Sequence, residues 1–272
     1  MTHATPETPA ASTAPEAQPS LSTSHLVVVP SYNSGALLLP TVRAAAACWA
    51  PVWVVIDGST DGSAEVLQAA LPTMPGVQVL VRPRNEGKGA AVLFALEQAA
   101  AAGFTHALTM DADGQHPAGH IDAFMRKSMQ HPDTMILGKP VFDADAPLLR
   151  VRGRRISNWW ANLETVGDGI GDSLFGFRVY PIAPLIRIMQ ARPWMRRFDF
   201  DVEAVVRLSW AGIRPINVSA PVRYPRPEEG GISHFQYGRD NVLLTWMHTR
   251  LFFEFLLRLP VLLWRRLRRP AP

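Results

Sequence analysis

Cysteine is nearly absent: Cys48 stands alone in 272 residues. That excludes an internal disulfide, argues against a cysteine-built metal centre and fits a reducing cytosol. Zinc-finger spacing is missing too. The formal charge is only +4, and no basic run flanks the strand-like segments, so a nucleic-acid partner is disfavoured. No Gly-x-Gly-x-x-Gly follows the first apolar run, which counts against a Rossmann dinucleotide site. Asn85-Glu86-Gly87-Lys88-Gly89 lacks the glycine spacing of a P-loop. Residues 1–24 hold Ala, Pro, Ser and Thr without an apolar run, and neither the basic start nor the apolar centre of a secretory signal is present. Such a composition cannot offset chain entropy by burial, and a disordered tail is expected there.

What is present is an alternation of strand-like and helix-like stretches. His25–Pro30, Pro51–Ile56, Val77–Val81 and Phe104–Met110 are short, mostly apolar runs, several rich in β-branched residues, and each ends in a polar or glycine-rich loop. Helical patterns fill 36–49, 63–70 and 90–101, with Thr60 or Asp61 placed to cap the second; a further strand is expected at 134–138. This order predicts an α/β fold with a mostly parallel sheet and right-handed crossovers. In such sheets ligands bind at the carboxyl ends of strands.

The residues at those ends suit a nucleotide. Tyr32 is placed to stack on or flank a base, Asp57 to accept from base or ribose, and Lys88 to neutralise phosphate. After the fourth strand comes Asp111-Ala112-Asp113-Gly114-Gln115-His116-Pro117. Two carboxylates one residue apart, with an amide oxygen two residues on, suit a hard divalent cation that keeps positions open for phosphate oxygens. Each of these residues also has an ordinary reading as a turn, core or surface residue. It is their convergence on four consecutive strand ends that favours a diphosphate-handling site.

Val29-Pro30-Ser31-Tyr32-Asn33, Ile56-Asp57-Gly58-Ser59-Thr60-Asp61-Gly62, Asn85-Glu86-Gly87-Lys88-Gly89-Ala90-Ala91 and Asp111-Ala112-Asp113-Gly114-Gln115-His116 resemble, in order and spacing, family 2 glycosyltransferases, and within them the dolichyl-phosphate mannosyltransferase-like branch. The resemblance covers roughly residues 25–235. It implies a GT-A fold, a nucleotide-diphosphate sugar donor, Mg2+ or Mn2+, and inversion at the anomeric carbon. It places Pro30, Tyr32 and Asp57 in the nucleoside pocket and makes Asp111 and Asp113 the acidic metal motif, completed by Gln115. With Asn33, Lys88 and Ala112 these residues form the expected donor-binding set. The Gln-x-x-Arg-Trp motif of processive members is absent, which disfavours continuous polymerisation, and the multi-span C-terminal domain of some polyprenyl-phosphate enzymes is missing.

Acceptor chemistry is expected in the second half. Asp172-Ser173-Leu174-Phe175-Gly176-Phe177-Arg178 and Phe198-Asp199-Phe200-Asp201-Val202-Glu203 resemble family segments. An acceptor hydroxyl would need a carboxylate base, for which Asp172, Asp201 and Glu203 are the candidates; a lipid monophosphate is already anionic and needs none. Arg178 is a candidate partner for diphosphate or acceptor charge. Arg150, Arg152, Arg154 and Arg155 are either a solvated basic face or a phosphate clamp. Gly230–Phe235 reads as a loop able to close over diphosphate, with His234 in it, whereas His116 and His120 read as scaffold.

Residues 236–272 form the last segment. From Val242 to Trp264 the sequence is strongly apolar, yet His248, Arg250, Glu254, Arg258 and Pro260 interrupt it, and Arg265, Arg266, Arg268 and Arg269 follow. An amphipathic helix in the membrane interface is expected, with packing on the protein's own core or across a homodimer as the alternative. The reading is therefore a metal-dependent inverting glycosyltransferase, peripherally bound at the cytoplasmic membrane face, with a lipid-linked or polyprenyl-phosphate-like acceptor. A nucleotidyltransferase acting on a sugar phosphate and a non-catalytic nucleotide-sugar-binding scaffold are the competing classes.

Overall fold

The computed structural model describes residues 21–142, 148–223 and 237–268. The tail through residue 20, the loop Gly230–Phe235, the Arg150 side chain and Arg269 lie outside the described residues. In chain order the elements are β1 (His25–Ser31), α1 (Leu38–Cys48), β2 (Val52–Asp57), α2 (Ser63–Ala70), β3 (Val77–Arg82), α3 (Lys88–Ala101), β4 (His106–Thr109), α4 (Ile121–Gln130), β5 (Thr134–Phe142), α5 (Leu148–Glu164), β6 (Arg178–Pro181), α6 (Ile182–Gln190), α7 (Phe200–Trp210), β7 (Arg214–Val222) and α8 (Tyr237–Leu267).

Seven strands form one sheet in the order β3-β2-β1-β4-β6-β5-β7. β1 pairs in parallel with β2 and β4, β2 with β3, and β5 with β7, whereas β6 runs antiparallel to both neighbours. β6 starts beside Thr109 at the carboxyl end of β4, ends at Pro181 beside His106 and passes directly into α6. The mostly parallel sheet expected from sequence is present, with this one reversed strand inside it.

Both faces are covered, which is why β1 and β2 read as continuous apolar runs rather than alternating ones. Leu26 and Val28 of β1 face α3, α6, α7 and the buried residues Met247, Leu251 and Phe255 of α8. Val27 and Val29 face the opposite layer, with α1, α2 and α4. The chain enters this fold before residue 25. Ser22 N donates to Ala50 O, and Thr105 N donates to Ser24 O.

Strand order reverses between β1 and β4. The first three strands march outward from β1, and α3 then carries the chain back to β4 on its other side. A crevice opens at the carboxyl ends of strands at such a switch point. Ser31 and Tyr32 leave β1 there, and Met110 and Asp111 leave β4.

Candidate active site

The centre of the site is an ion cluster that joins residues far apart in sequence. Lys88 Nζ, at the first residue of α3, lies 2.6 Å from Asp111 Oδ1 and 2.7 Å from Asp201 Oδ2 in the first turn of α7. Burial alone would push the lysine down; the two carboxylates outweigh it and hold its pKa above the ordinary value. Asp111, itself desolvated, is held below the usual carboxylate range by Lys88. Asp113 has no such cation beside it. Burial and the charge of Asp111 push its carboxyl up to about 6, even though Gln115 N donates to its Oδ1.

Asp111 and Asp201 therefore share one lysine, with Arg178 behind them, and Asp201 Oδ1 and Arg178 Nε are buried without hydrogen-bond partners. A hard divalent cation fits that donor set, with Asp111, Asp113 and the amide of Gln115 supplying oxygens. Among the described residues no group of three or more His, Cys, Asp or Glu side chains could hold a metal ion.

The site floor was partly hidden in sequence. His116, expected to be scaffold, is buried edge-on against Phe175 and Phe177 at centroid distances of 4.8 and 5.5 Å. Its Nδ1 accepts from Asp111 N at 2.9 Å, so in the neutral ring the proton sits on Nε2, 3.6 Å from Asp111 Oδ2. Burial lowers its pKa to about 4, which keeps the ring neutral at physiological pH. Gly176 closes the other side. A Cβ there would stand 2.6 Å from Lys88 Nζ and 3.1 Å from Asp111 Oδ2, so a larger residue would push the ends of both side chains aside. Thr109 Oγ1 at the end of β4 donates to Gly176 O at 2.8 Å.

The rim comes from the loops after β1 and β2. Asn33, in a left-handed conformation with φ 47°, accepts from Thr60 N through Oδ1 at 2.8 Å. Asn33 N in turn donates to Ser59 Oγ, and Gly35 N donates to Asp61 Oδ2. Asp61 Oδ1 also accepts from Ser63 N at the start of α2, the contact expected of a capping residue, although Gly62 occupies the cap position itself. Pro30 is half-buried at the end of β1, Tyr32 is 38% exposed beside the crevice, and Ala112 is buried between the two acids. Asp57 is buried at the end of β2. At 2% exposure it accepts from Arg82 and from the backbone N–H groups of Glu86 and Gly87. Its observed work is to hold the loop that delivers Lys88.

Of the four side chains nominated for catalysis, only Asp201 joins the cluster. Asp172 Oδ1 accepts from Leu174 N, Phe175 N and Arg154, and its Oδ2 accepts from Asn158 Nδ2. A carboxylate so engaged is a turn anchor rather than a ready base. Arg178 is fully buried and donates to the main-chain oxygens of Asp172 and Asp201 and to Tyr180 Oη, bracing both acids from behind. Glu203 is fully buried two residues beyond Asp201, where Arg207, Trp194 and Arg250 bind it beneath α8. The arginine cluster divides: Arg154 serves Asp172, whereas Arg152 and Arg155 are exposed.

Comparison with known proteins agrees with this geometry. The chain is 26% identical over 220 residues to polyprenol monophosphomannose synthase of Mycolicibacterium smegmatis, covering 75% of this chain and 78% of that one. It is 25% identical over 211 residues to undecaprenyl-phosphate mannosyltransferase of Micrococcus luteus, covering 75% and 85%. In fold it is similar to glucosyl-3-phosphoglycerate synthase of Mycobacterium tuberculosis, solved with Mn2+, UDP-glucose and phosphoglyceric acid. That likeness has a TM-score of 0.54 at 17% identity and covers 77% of this chain and 75% of that one. The mixed sheet with its flanking helices is thus GT-A-like. The family description Glycosyl transferase family 2 matches residues 26–188, more than half of the chain. The protein belongs to glycosyl transferase family 2 and is a glycosyltransferase.

Proposed function

We propose that this enzyme transfers a hexose from a nucleotide-diphosphate sugar to a polyprenyl phosphate or similar lipid-linked acceptor, with inversion, at the cytoplasmic face of a membrane. The observation that carries the reading is the gathering of Asp111, Asp113 and Asp201 at the β1/β4 switch point, where Lys88 pairs with Asp111 and Asp201 and Asp201 Oδ1 is left without a partner. Mg2+ or Mn2+, held by Asp111, Asp113 and Gln115, would supply Lewis-acid stabilisation of the leaving diphosphate. Lys88 adds a preorganised positive charge to the same leaving group. Tyr32, Asn33 and Pro30 line the nucleoside side, and Asp57 fixes the loop that carries Lys88.

A phosphate oxygen of the acceptor attacks the anomeric carbon, the bond from that carbon to the donor diphosphate breaks, and the diphosphate leaves with the electron pair. No proton need move, because an acceptor phosphate is already ionised at neutral pH. This agrees with a site in which Asp172 and Glu203 are both saturated by other donors. A hydroxyl acceptor would call on Asp201, whose Oδ1 lacks a partner.

The C-terminal helix supports the membrane part of the reading. The charged residues of its first half turn inward. His248 meets Glu164, Arg250 meets Glu203, and Glu254 meets Arg192 and Arg207. The outward face is left to Trp246, Phe253, Leu257, Val261, Trp264 and Leu267, all exposed. Ile156, Trp159 and Leu163 of α5 are exposed as well, and the ring chain Trp159–Trp160–Phe252–Phe253 joins the two faces. Arg152, Arg155 and Arg266 are exposed on the same two helices, and Arg268 just past the end of α8, which suits anionic headgroups. Among the described residues no helix is long and apolar enough to cross a membrane, so the helix would lie in the interface.

Transfer of labelled sugar from UDP- and GDP-hexoses to polyprenyl phosphate, with and without Mn2+, tests the reaction. Metal-dependent donor binding without transfer to any acceptor would leave a binding scaffold instead. Flotation with anionic liposomes tests the docking face. A Leu257→Glu/Trp264→Glu variant is expected to stay in the soluble fraction. If it floats as wild type does, or if wild type forms a homodimer that the substitutions dissociate, α8 is a protein interface.

A further inference from the structure

A buried Ser–His–Glu arrangement lies outside the acid site. Glu164 at the end of α5 accepts from His248 Nδ1 of α8 at 3.0 Å, and His248 Nε2 is 3.2 Å from Ser157 Oγ. The order of groups is that of a nucleophilic triad, but Ser157 and His248 are each 8% exposed and Glu164 is not exposed at all. No substrate reaches this serine. Its hydroxyl is used in another direction, 3.1 Å from Ser173 Oγ.

From Ser173 the contacts run unbroken to the acid pair. Ser173 donates through both N and Oγ to Asn158 Oδ1, at 2.7 and 2.8 Å, and Asn158 Nδ2 donates to Asp172 Oδ2 at 3.2 Å. Asp172 Oδ1 gathers Leu174 N and Phe175 N at 2.9 and 2.7 Å, closing the turn that ends in Gly176. Phe175 packs its ring on His116, and His116 holds the backbone of Asp111. Every link is a buried or partly buried contact, and the helix at its far end is the one whose outer face is apolar.

We propose that His248 is a positioning residue for the donor site: by way of Ser157 it fixes the 172–176 turn against Asp111, so that the seating of α8 on the domain and the order of the acid pair are one linked equilibrium. The step from linked order to turnover rests on the glycosyl-transfer reading above; the structural linkage does not. A residue acting this way touches neither donor nor acceptor. Its loss is felt as misplacement of carboxylates whose alignment governs rate.

The test uses the full chain and has two readouts. In amide hydrogen exchange followed by mass spectrometry, His248→Ala and the milder Ser157→Ala are expected to speed exchange at Leu174 and Phe175 at least tenfold, with α4 on the opposite layer unchanged. In transfer assays with Mn2+, each variant is expected to lose about tenfold in kcat with donor KM within twofold. The double variant should be no slower than His248→Ala alone, because both substitutions cut one chain. Uniform acceleration of exchange over the whole protein, or rate losses that multiply in the double variant, would overturn the proposal. If the variants exchange as described but wild type transfers no sugar, the glycosyl-transfer reading fails while the linkage stands.

Discussion

Two regions of this protein are built from buried charge, and they use it oppositely. Beneath α8, Glu203 and Glu254 are each met by at least two arginines, Trp210 and Trp194 lie under guanidinium groups, and the buried atoms left without partners are the Nε atoms of Arg192 and Arg250. At the β1/β4 switch point the acids outnumber the lysine: Asp111 and Asp201 share Lys88, Asp113 stands beside Asp111, and Asp201 Oδ1 is left partnerless together with the Nε of Arg178 behind it. Saturated carboxylates hold a helix in place. Undersatisfied ones wait for a cation or a substrate, and two acids only two residues apart, Asp201 and Glu203, fall on opposite sides of that divide.

The sharpest way to break this comparison is Asp111→Asn. It removes a charge from the deficient site and is expected to lower transfer about a thousandfold, roughly 4 kcal/mol of transition-state stabilisation, with little change in chemical-denaturation midpoint. Wild-type rates would show that the acid pair is only a turn. Glu203→Ala should do the reverse, costing about 3 kcal/mol of folding stability in urea titration because Arg207 loses a buried partner, while the folded fraction keeps turning over.

Gly176→Ala probes the close approach itself. The added methyl meets Lys88 and Asp111, so a loss of 10- to 30-fold in kcat/KM is expected, about 1–2 kcal/mol, measured by initial rates over donor concentration. The smallest effect concerns pH. Burial and, secondarily, Glu203 push the Asp199 carboxyl up to about 6. The folded state then binds more protons than the unfolded chain between the ordinary aspartate value and pH 6. Stability falls as pH rises through that window, and the penalty is complete above it. Asp199→Asn is expected to raise stability by about 1 kcal/mol at pH 7.5 and to leave it unchanged at pH 3, read from melting curves at the two values.

Much of the architecture could be read from local pattern. The apolar runs at His25, Val52 and His106 became β1, β2 and β4 because a parallel strand buried on both faces writes itself as consecutive apolar residues, whereas the edge strand β3 keeps Gln78 and Arg82 among its valines and buries none of its residues fully. The short β6 did not announce itself. Its four residues, Arg178–Pro181, include a fully buried arginine whose donors find main-chain oxygens of Asp172 and Asp201, contacts invisible in sequence. His116 was equally silent, since a histidine after an acidic turn reads the same whether it faces water or holds that turn from below.

The sequence by itself determined which residue types stand at each strand end, and with them the glycosyltransferase family, because local order and motif spacing are properties of the chain. Tertiary structure decided which acids remain short of partners. Lys88 reaches Asp201 across 113 residues of separation, and Asp172 and Glu203 are saturated by arginines on α5, α7 and α8. It also decided which way α8 faces: the same interrupting charges that look incompatible with a membrane are consumed against the domain, leaving the apolar side outward. The physical reason is common to both. A charge acts according to what neutralises it, and neutralising partners are brought together by folding rather than by sequence adjacency.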